Sequence, residues 1–420
     1  MRRVERNATT NTTARAVAAV SFALGCAVCA TSAHAQGDRP LGFAVIANAM
    51  SRPADEAPVR QMLDAIARDR NVSFIVYDGN VKGATEACRD SVLQSRHDLL
   101  DASRMPLVLL LGEHDWADCA QSHTGSYDPV ERLDFARQLF FPDSSSLGQS
   151  PLTLSRESDV ARFRTFREIV RWQDQGVAFI GLNAPSPNNH YVTAGGRNGE
   201  FEDRAVATTF WIEHAAETVR RAEMRALVIV LQGDPDFGRY ERREHFPWLR
   251  FSRSNQPRDG FLEFKRSLVK AAEAFRGPVI VIHGTDEPEP NGFHIDQPLR
   301  NDRGLTVTNL TRVAIALKKP QSQWLEVQTD AQWHPPFRLR VRDVHSVPKR
   351  DTAEAPSQIE TPQSQPTLPA SSMHTTPEYL PPPPALQPPP AELPPILKPP
   401  QALPPILPVP LPDNQNNNSQ

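Results

Sequence analysis

The sequence predicts a layered α/β fold in which short buried strands alternate with amphipathic helices. Three apolar runs near the start of the chain, 42–47, 72–77 and 105–111, have the length of buried strands and are bounded by polar or turn-forming residues. Between the first two runs, apolar side chains from Val59 to Ile66 recur at helical spacing. Strands that alternate with helices in this way indicate a sheet with parallel pairing.

Further apolar patterns extend this architecture along the chain. We expect a β-hairpin in which strands 163–172 and 177–182 are joined by a turn at 173–176. The other predicted helices are 128–139, 202–221 and 261–275. The other predicted strands are 226–231, 279–283, 306–309, 313–317, 324–329 and 337–341. The short late strands predict a second sheet or the edge of the first.

The N-terminus has the pattern of a secretory signal. Four arginines in the first fifteen residues precede an apolar run at 16–30, and the sequence at 33–35 fits the small-x-small cleavage rule. Cleavage there gives a mature chain that starts at Gln36. The alternatives are an uncleaved anchor, although the run is shorter than the ~20 residues of a spanning helix, and lipidation at Cys26. We therefore predict a periplasmic or secreted protein without a transmembrane segment after cleavage.

Export also determines how the four cysteines are interpreted. Cys26 and Cys29 leave with the signal, so Cys88 and Cys119 remain as a pair in an oxidising compartment. We predict a disulfide between them, which should stabilise the fold by about 3 kcal/mol through loop-closure entropy. Two free buried thiols are the alternative.

The C-terminal part of the chain has a composition unlike that of a folded domain. Many of the 41 prolines lie beyond residue 351, and the segment 393–397 recurs at 403–407. Such a tail favours polyproline II and disorder, as a spacer, a ligand for aromatic-lined grooves or an unselected low-complexity segment. The predicted organisation is a signal peptide at 1–35, a domain at 36–346 and a disordered tail at 347–420.

Two predicted strand ends carry turns rich in potential ligands. The first is Tyr77-Asp78-Gly79-Asn80, and the second runs from Gly112 to Cys119 as Gly-Glu-His-Asp-Trp-Ala-Asp-Cys. With these turns, the chain from about residue 42 to 341 resembles the calcineurin-like metallophosphoesterase superfamily, and a secreted or periplasmic bacterial branch in particular. Weaker echoes follow in the expected order at 140–142, 146–148, 182–183, 188–189, 199–202, 232–235 and 283–284. The resemblance implies a four-layer α/β/β/α sandwich.

The resemblance also implies a two-metal site, in which two cations polarise a phosphoryl group and generate a hydroxide nucleophile. The first-strand aspartate of the family corresponds to Asn48, and the bridging aspartate to Asn80. The third ligand corresponds to Glu113, and the late ligands correspond to Thr285 and Glu287. Two anionic ligands are thus amides here, which weakens the attraction for a pair of divalent ions. The sequence therefore disfavours a dinuclear centre.

A single cation is compatible with the oxygen donors that remain. We expect one divalent ion, Mg, Mn or Ca, held by Asn48, Asn80, Glu113 and Glu287. His114 occupies the position of the catalytic histidine of many superfamily members.

Three further side chains are candidates for supporting the site or contacting substrate. Asp78 is an alternative bridging ligand or the cap of a turn. Asp234 follows a buried strand, where α/β sheets bind ligands, although a turn role is equally consistent with its position. His283 stands in the late His-Gly motif of the resemblance.

Charge and motif content exclude other function classes. The chain has 46 basic and 49 acidic residues and no basic stripe, so nucleic-acid binding is not predicted. No Gly-x-Ser-x-Gly elbow is present. Two hypotheses are left: a catalytically weak or inactive protein that binds a small phosphorylated ligand or a protein partner through the cleft, and an active, divergent metal-dependent phosphoesterase. The first is favoured because the substituted residues are those that carry charge in the family.

Overall fold

The computed structural model describes residues 40–191, 198–239, 258–330, 333 and 336–346. All of them lie in the first of two compact units, Met1–Ala353. The predicted signal at 1–35 and the predicted tail at 347–420 lie outside the described residues. None of the helices in these ranges has the length and apolar character needed to cross a lipid bilayer.

The described ranges form a mixed α/β structure with two β-sheets and five α-helices. The helices are α1 Glu56–Ile66, α2 Asp90–Asp101, α3 Pro129–Phe140, α4 Gly199–Arg221 and α5 Leu262–Phe275.

The first sheet is built around three parallel strands from the N-terminal part of the domain. Strands β1 (Leu41–Ala47), β2 (Ile75–Asp78) and β3 (Leu107–Leu110) are parallel neighbours. Two late strands extend the sheet on the other side of β1, because β11 (Gln323–Thr329) pairs antiparallel with it and β12 (Phe337–Asp343) forms the edge.

The second sheet has seven strands in the order β4-β5-β6-β7-β8-β10-β9. Its strands are β4 Ser155–Arg156, β5 Val170–Asp174, β6 Val177–Leu182, β7 Ala226–Leu231, β8 Val279–Gly284, β9 Phe293–Asp296 and β10 Leu310–Ile315. The central strands β6, β7, β8 and β10 are parallel.

Three separate hydrophobic clusters explain why the strands are apolar on both faces. Ala44 and Ile46 pack with residues of α1, α2 and α3, whereas Phe43 and Val45 pack against residues of the second sheet. A third cluster joins the other face of the second sheet to α4 and α5. Strands buried on both sides need continuous apolar runs rather than alternation, which is the pattern that the sequence contains.

Several predicted boundaries are corrected by the structure. The hairpin of β5 and β6 is present, with positive φ at both turn residues, Gln175 and Gly176. However, 163–169 is not strand: a 3-10 turn ends at Phe163, further turns follow, and β5 begins only at Val170. The prediction of a strand at 306–309 is also wrong, since β10 begins at Leu310.

The predicted disulfide between Cys88 and Cys119 is confirmed. Both cysteines are fully buried, and their Cα atoms are 5.8 Å apart. Cys88 lies just before α2, and Cys119 lies in the segment that follows β3. The bridge therefore fixes this segment to the start of α2.

Candidate functional site

The ends of strands from both sheets meet around one cleft. The carboxyl ends of β1, β2 and β3 face those of β7 and β8 across a cavity of about 590 Å³. The contact is close, because a Cβ built on Gly284 at the end of β8 would lie 3.7 Å from Nδ2 of Asn48, which follows β1. The cavity is lined by Asn48, Met50, Ser51, Asn80, Gly83, Ala84, Thr85, Glu113, His114, Ser186, Gln232, Asp234, Gly284, Thr285 and Asp286. Ligand sites at the carboxyl ends of parallel strands are common in α/β folds.

Two asparagines form the centre of the cleft floor. Asn80 Nδ2 donates a hydrogen bond to Asn48 Oδ1 at 2.9 Å, and the backbone N–H of His114 donates to Asn80 Oδ1 at 2.9 Å. A backbone N–H can only donate, so it fixes Asn80 with its oxygen toward His114 and its NH₂ group toward Asn48. Asn48 itself is held in a left-handed conformation with φ of 51°, which asparagine tolerates better than most residues.

Two glycines allow the turns after β2 and β3 to approach this closely. A Cβ on Gly112 would lie 2.1 Å from Asn80 Oδ1. Gly79 has φ of 45°, and a Cβ there would lie 2.9 Å from Gly112 Cα. Any side chain at either position would therefore separate the turns and displace Asn80.

Asp115 ties the same two turns together from the buried side. Its carboxylate accepts hydrogen bonds from the backbone N–H of Val81 at 2.7 Å and of Gly112 at 2.8 Å. Burial raises the pKa of Asp115 to about 6, although both hydrogen bonds and the nearby Lys82 and His114 lower it. Sequence reasoning did not identify Asp115 as a site residue. The available signal was its position three residues after Gly112, at the start of a helical turn, where a carboxylate can accept from backbone N–H groups.

His114 is oriented by a carboxylate one helical turn away. Its Nδ1 lies 2.7 Å from Asp118 Oδ2, and the other oxygen of Asp118 lies 3.6 Å from the fully buried Nζ of Lys82. Burial lowers the pKa of His114, but the hydrogen bond to Asp118 and the neighbouring carboxylates outweigh it, and the net pKa is raised. Nε2 is then the ring nitrogen left to face a ligand.

Negative charge accumulates at the rim of the cavity. Glu113, Asp234 and Asp286 all line it. The pKa of Glu113 is raised, first by burial and further by Asp118 and Asp286, while His114 opposes the shift.

Asp78 and His283 lie behind the cavity rather than in its wall. Asp78 is buried at the end of β2, burial raises its pKa well above the usual value, and neither carboxylate oxygen has a hydrogen-bond partner among the described residues. The turn-capping alternative for Asp78 is therefore not observed. His283 is fully buried on β8, with Nδ1 2.7 Å from Gly284 O and 3.9 Å from Asp234 Oδ1, and burial lowers its pKa.

Glu287 is exposed and does not line the cavity. Its backbone N–H donates to Thr285 Oγ1 at 3.3 Å, within a turn that brings Thr285 and Asp286 to the cleft instead. The structure thus brings together Asn48, Asn80, Glu113 and His114, with Asp286 in the place expected for Glu287.

The amide oxygens at the centre of the cleft are already engaged within the protein. The oxygens of Asn48 and Asn80 already accept hydrogen bonds from N–H groups of the protein. Within the described part of the chain, the one group of three or more His, Cys, Asp or Glu with ligand atoms close together is Cys88, Asp118 and Cys119, whose cysteines form the disulfide. The expectation of a single Mg, Mn or Ca ion stays a prediction.

Comparisons with known proteins give a weak structural likeness and no family. No protein-family model matches the chain, and no curated protein matches it at a significant level. A search of solved structures finds GAP50, described as the anchor in the inner membrane complex of Plasmodium. The two chains are 10% identical with a TM-score of 0.40, over 74% of this chain and 87% of that one. A likeness at this level carries no functional argument.

Proposed function

We propose that this protein is an exported, metallophosphoesterase-like protein that binds a ligand or a protein partner through its cleft and hydrolyses phosphoric esters weakly or not at all. The observation that carries the proposal is the direct hydrogen bond from Asn80 to Asn48, at the two positions that correspond to anionic metal ligands in that superfamily.

The chemistry of this pair differs from that of a metal site. Two carboxylates with oxygens this close would repel each other, and a cation between them offsets the repulsion. Two amides have no net charge and pair directly, with an N–H of Asn80 in place of the cation. The pairing holds β1 and β2 together at the cleft without a metal.

The arrangement of the hydrophobic clusters supports the fold part of the proposal. One cluster joins α1, α2 and α3 to the first sheet, one contains residues of both sheets, and one joins the second sheet to α4 and α5. That order is what an α/β/β/α sandwich of metallophosphoesterase type requires. The cleft also lies at the strand ends where such a sandwich would place its metals.

Export is supported by two independent features. The disulfide between Cys88 and Cys119 is of a kind that reducing compartments disfavour. The N-terminal sequence carries the charge and apolar pattern of a secretory signal. We therefore infer a periplasmic or secreted location.

One observation favours the second candidate, an active metal-dependent phosphoesterase. His114 lines the cavity, and its Nδ1 lies 2.7 Å from Asp118 Oδ2. Nε2 is therefore the ring nitrogen available to move a proton to or from a substrate. An active enzyme would need a single Mg, Mn or Ca ion at the oxygens of the cleft.

The experiment that separates the two candidates measures turnover of the full chain, purified after export. The wild-type protein is loaded with Mg, Mn or Ca and assayed on phosphomonoester and phosphodiester substrates, beside the double variant Asn48→Asp/Asn80→Asp. We expect no turnover by the wild type above that of the Glu113→Ala variant. Metal-dependent wild-type turnover that Glu113→Ala abolishes would refute the proposal and establish the active alternative.

A further inference from the structure

The cavity at the cleft is electrostatically unsuited to an anion when no metal is bound. Glu113, Asp234 and Asp286 line it, and none of the described lining residues is Lys or Arg. The one cationic group in the lining, His114, is already paired with Asp118. Carboxylates gathered in a cleft raise the local concentration of cations and repel phosphate.

The cavity wall also presents an unused hydrogen-bond donor. Gln232 is only 6% exposed, and its Oε1 accepts from the backbone N–H groups of Glu113 at 3.2 Å and Ser186 at 3.1 Å. These bonds orient the amide, and its NH₂ group has no hydrogen-bond acceptor among the described residues. The nitrogen of this amide is not fully buried, so it is open to the cavity that Gln232 lines. A ligand oxygen in the cavity would satisfy it.

Asn48 offers a second donor of the same kind. Its Oδ1 accepts from Asn80, which leaves the NH₂ group of Asn48 oriented away from Asn80. Asn48 lines the cavity together with Gln232. The amide NH₂ groups of these two residues would thus donate hydrogen bonds to a neutral oxygen acceptor on the ligand.

A second, apolar cavity continues from the first. It has a volume of about 480 Å³ and shares Asn48, Thr285 and Asp286 with the cleft. Its apolar wall contains Ile315 and Leu317 and the three prolines Pro288, Pro290 and Pro320. The charged residues in its lining besides Asp286 are Glu289 and the exposed Lys318. The shared residues place a negative charge, Asp286, at the junction of the polar and apolar parts.

We propose that the cleft binds a primary amine that carries a neutral carbonyl or hydroxyl oxygen beside the ammonium group and a short aliphatic substituent. The ammonium group lies among the carboxylates, the oxygen accepts from Gln232 and Asn48, and the aliphatic group enters the second cavity. This inference rests on the proposed function, that the cleft binds a ligand. A free amino-acid amide and the aliphatic N-terminal residue of a peptide both have this chemistry.

The test uses four small probes that separate the three features. Leucinamide has all of them; N-acetyl-leucinamide lacks the charge, glycinamide lacks the aliphatic group, and isoamylamine lacks the oxygen. Binding to the full chain is measured by titration calorimetry in chelator-treated buffer, with inorganic phosphate as an anionic probe. We expect leucinamide to bind at least about tenfold more tightly than each of the other three probes, as loss of one buried aliphatic side chain or one charged contact implies. A tripeptide amide that begins with Leu tells whether a peptide N-terminus binds as well.

Variants connect the binding to the residues named. Asp286→Asn should weaken leucinamide binding about tenfold or more, while Asp203→Asn, the same change on α4 outside both cavities, should leave it unchanged. Leu317→Ala should weaken leucinamide but not glycinamide. Asp286 is exposed, and its carboxylate accepts no hydrogen bond from the described residues, so the variant should fold normally.

Several outcomes would overturn the proposal. Equal binding of leucinamide and N-acetyl-leucinamide, or no binding of any amine, would exclude an amine site. Phosphate binding in the chelated buffer would show that the cleft takes anions. Competition between leucinamide and Mg, Mn or Ca at low concentration would assign the carboxylates to a metal. Failure of the amine proposal would not by itself refute the proposed function, because the binding assay contains no metal and is independent of the turnover assay. The proposed function is refuted only if the wild type turns over phosphoric esters.

Discussion

Asn80 and Asn48, which follow neighbouring parallel strands, are joined by a side-chain hydrogen bond of 2.9 Å at the floor of the cleft. Each amide contains both a donor and an acceptor, so the pair retains one hydrogen bond if either residue becomes an acid. If both become acids, no donor is left between them. The effect of a substitution at one of these residues on stability should therefore depend on which residue occupies the other position.

We expect Asn48→Asp and Asn80→Asp to have small separate effects on stability and a large combined effect. The double variant should lose about 1–3 kcal/mol beyond the sum of the single changes when no divalent cation is present. Urea unfolding of the four proteins in chelator gives this coupling energy directly. Added Mn should restore much of the stability of the double variant and change the wild type little. Additive effects in chelator would mean that the hydrogen bond contributes nothing to the site.

The disulfide should stabilise the segment that holds Asp118 as well as the whole domain. Cys88 and Cys119 are separated by 31 residues, and loop-closure entropy for that length predicts a loss of about 3–4 kcal/mol for Cys88→Ala/Cys119→Ala. The free energy of unfolding is measured in urea, and reduced wild type should match the variant. Hydrogen exchange should rise at 113–124 before it rises in β1 or β2. Uniform protection in the variant would show that the bridge does not hold this segment locally.

Glu157 should make stability fall with increasing pH. Burial raises the pKa of Glu157 to about 8, with partial opposition from Arg171, and neither carboxylate oxygen has a hydrogen-bond partner in the described ranges. In the unfolded chain, glutamate has a pKa of ~4.3. The folded state thus binds more protons between these values, and the free energy of unfolding decreases as pH rises from about 4.3 to about 8.

The variant Glu157→Gln removes this titration. We expect its free energy of unfolding to exceed that of the wild type by an amount that grows from pH 5 to pH 8. Urea unfolding at each pH provides the comparison. Parallel pH profiles for the two proteins would contradict the assignment of a buried, protonated carboxyl at this position.

The buried pair of Arg137 and Glu168 should behave in the opposite way. Arg137 donates to the two oxygens of Glu168 at 2.8 and 2.6 Å, and Asn183 adds a bond of 3.0 Å. Burial raises the pKa of Glu168, but Arg137 and Asn183 outweigh it, and the net pKa is lowered. Its contribution to stability is therefore full above the unfolded pKa and is lost as pH falls through the folded pKa.

Glu168→Leu should cost about 3–5 kcal/mol at pH 7, because it leaves the guanidinium of Arg137 buried and unpaired. The matched change Glu217→Leu, in an exposed pair with Arg220, should have little effect. Both free energies of unfolding are measured in urea. A small loss for Glu168→Leu would mean that water reaches Arg137 in the variant.

The sequence by itself predicted most of the strands that carry the cleft. The run Ala226–Leu231 is predicted with its observed bounds, because a strand buried on both faces must be apolar at every position. Strand β9, Phe293–Asp296, was missed because it lies at an edge and is half exposed, so its residues lack that signal.

Sequence reasoning also identified several of the cleft residues. Asn48, Asn80, Glu113 and His114 each follow a predicted strand, and the carboxyl ends of parallel strands meet at one edge of a sheet. It did not find Asp115 or Gln232, whose roles depend on backbone N–H groups that local patterns do not reveal.

The sequence alone predicted which polar residues follow the buried strands and which two cysteines remain to pair, because apolar runs and residue types can be read locally. Only the tertiary structure decided that Asn80 bonds to Asn48, that Asp286 rather than Glu287 faces the cavity, and that an apolar cavity adjoins it. These features depend on distances between segments more than thirty residues apart in the chain. Such distances are set by how the sheets and turns pack against each other.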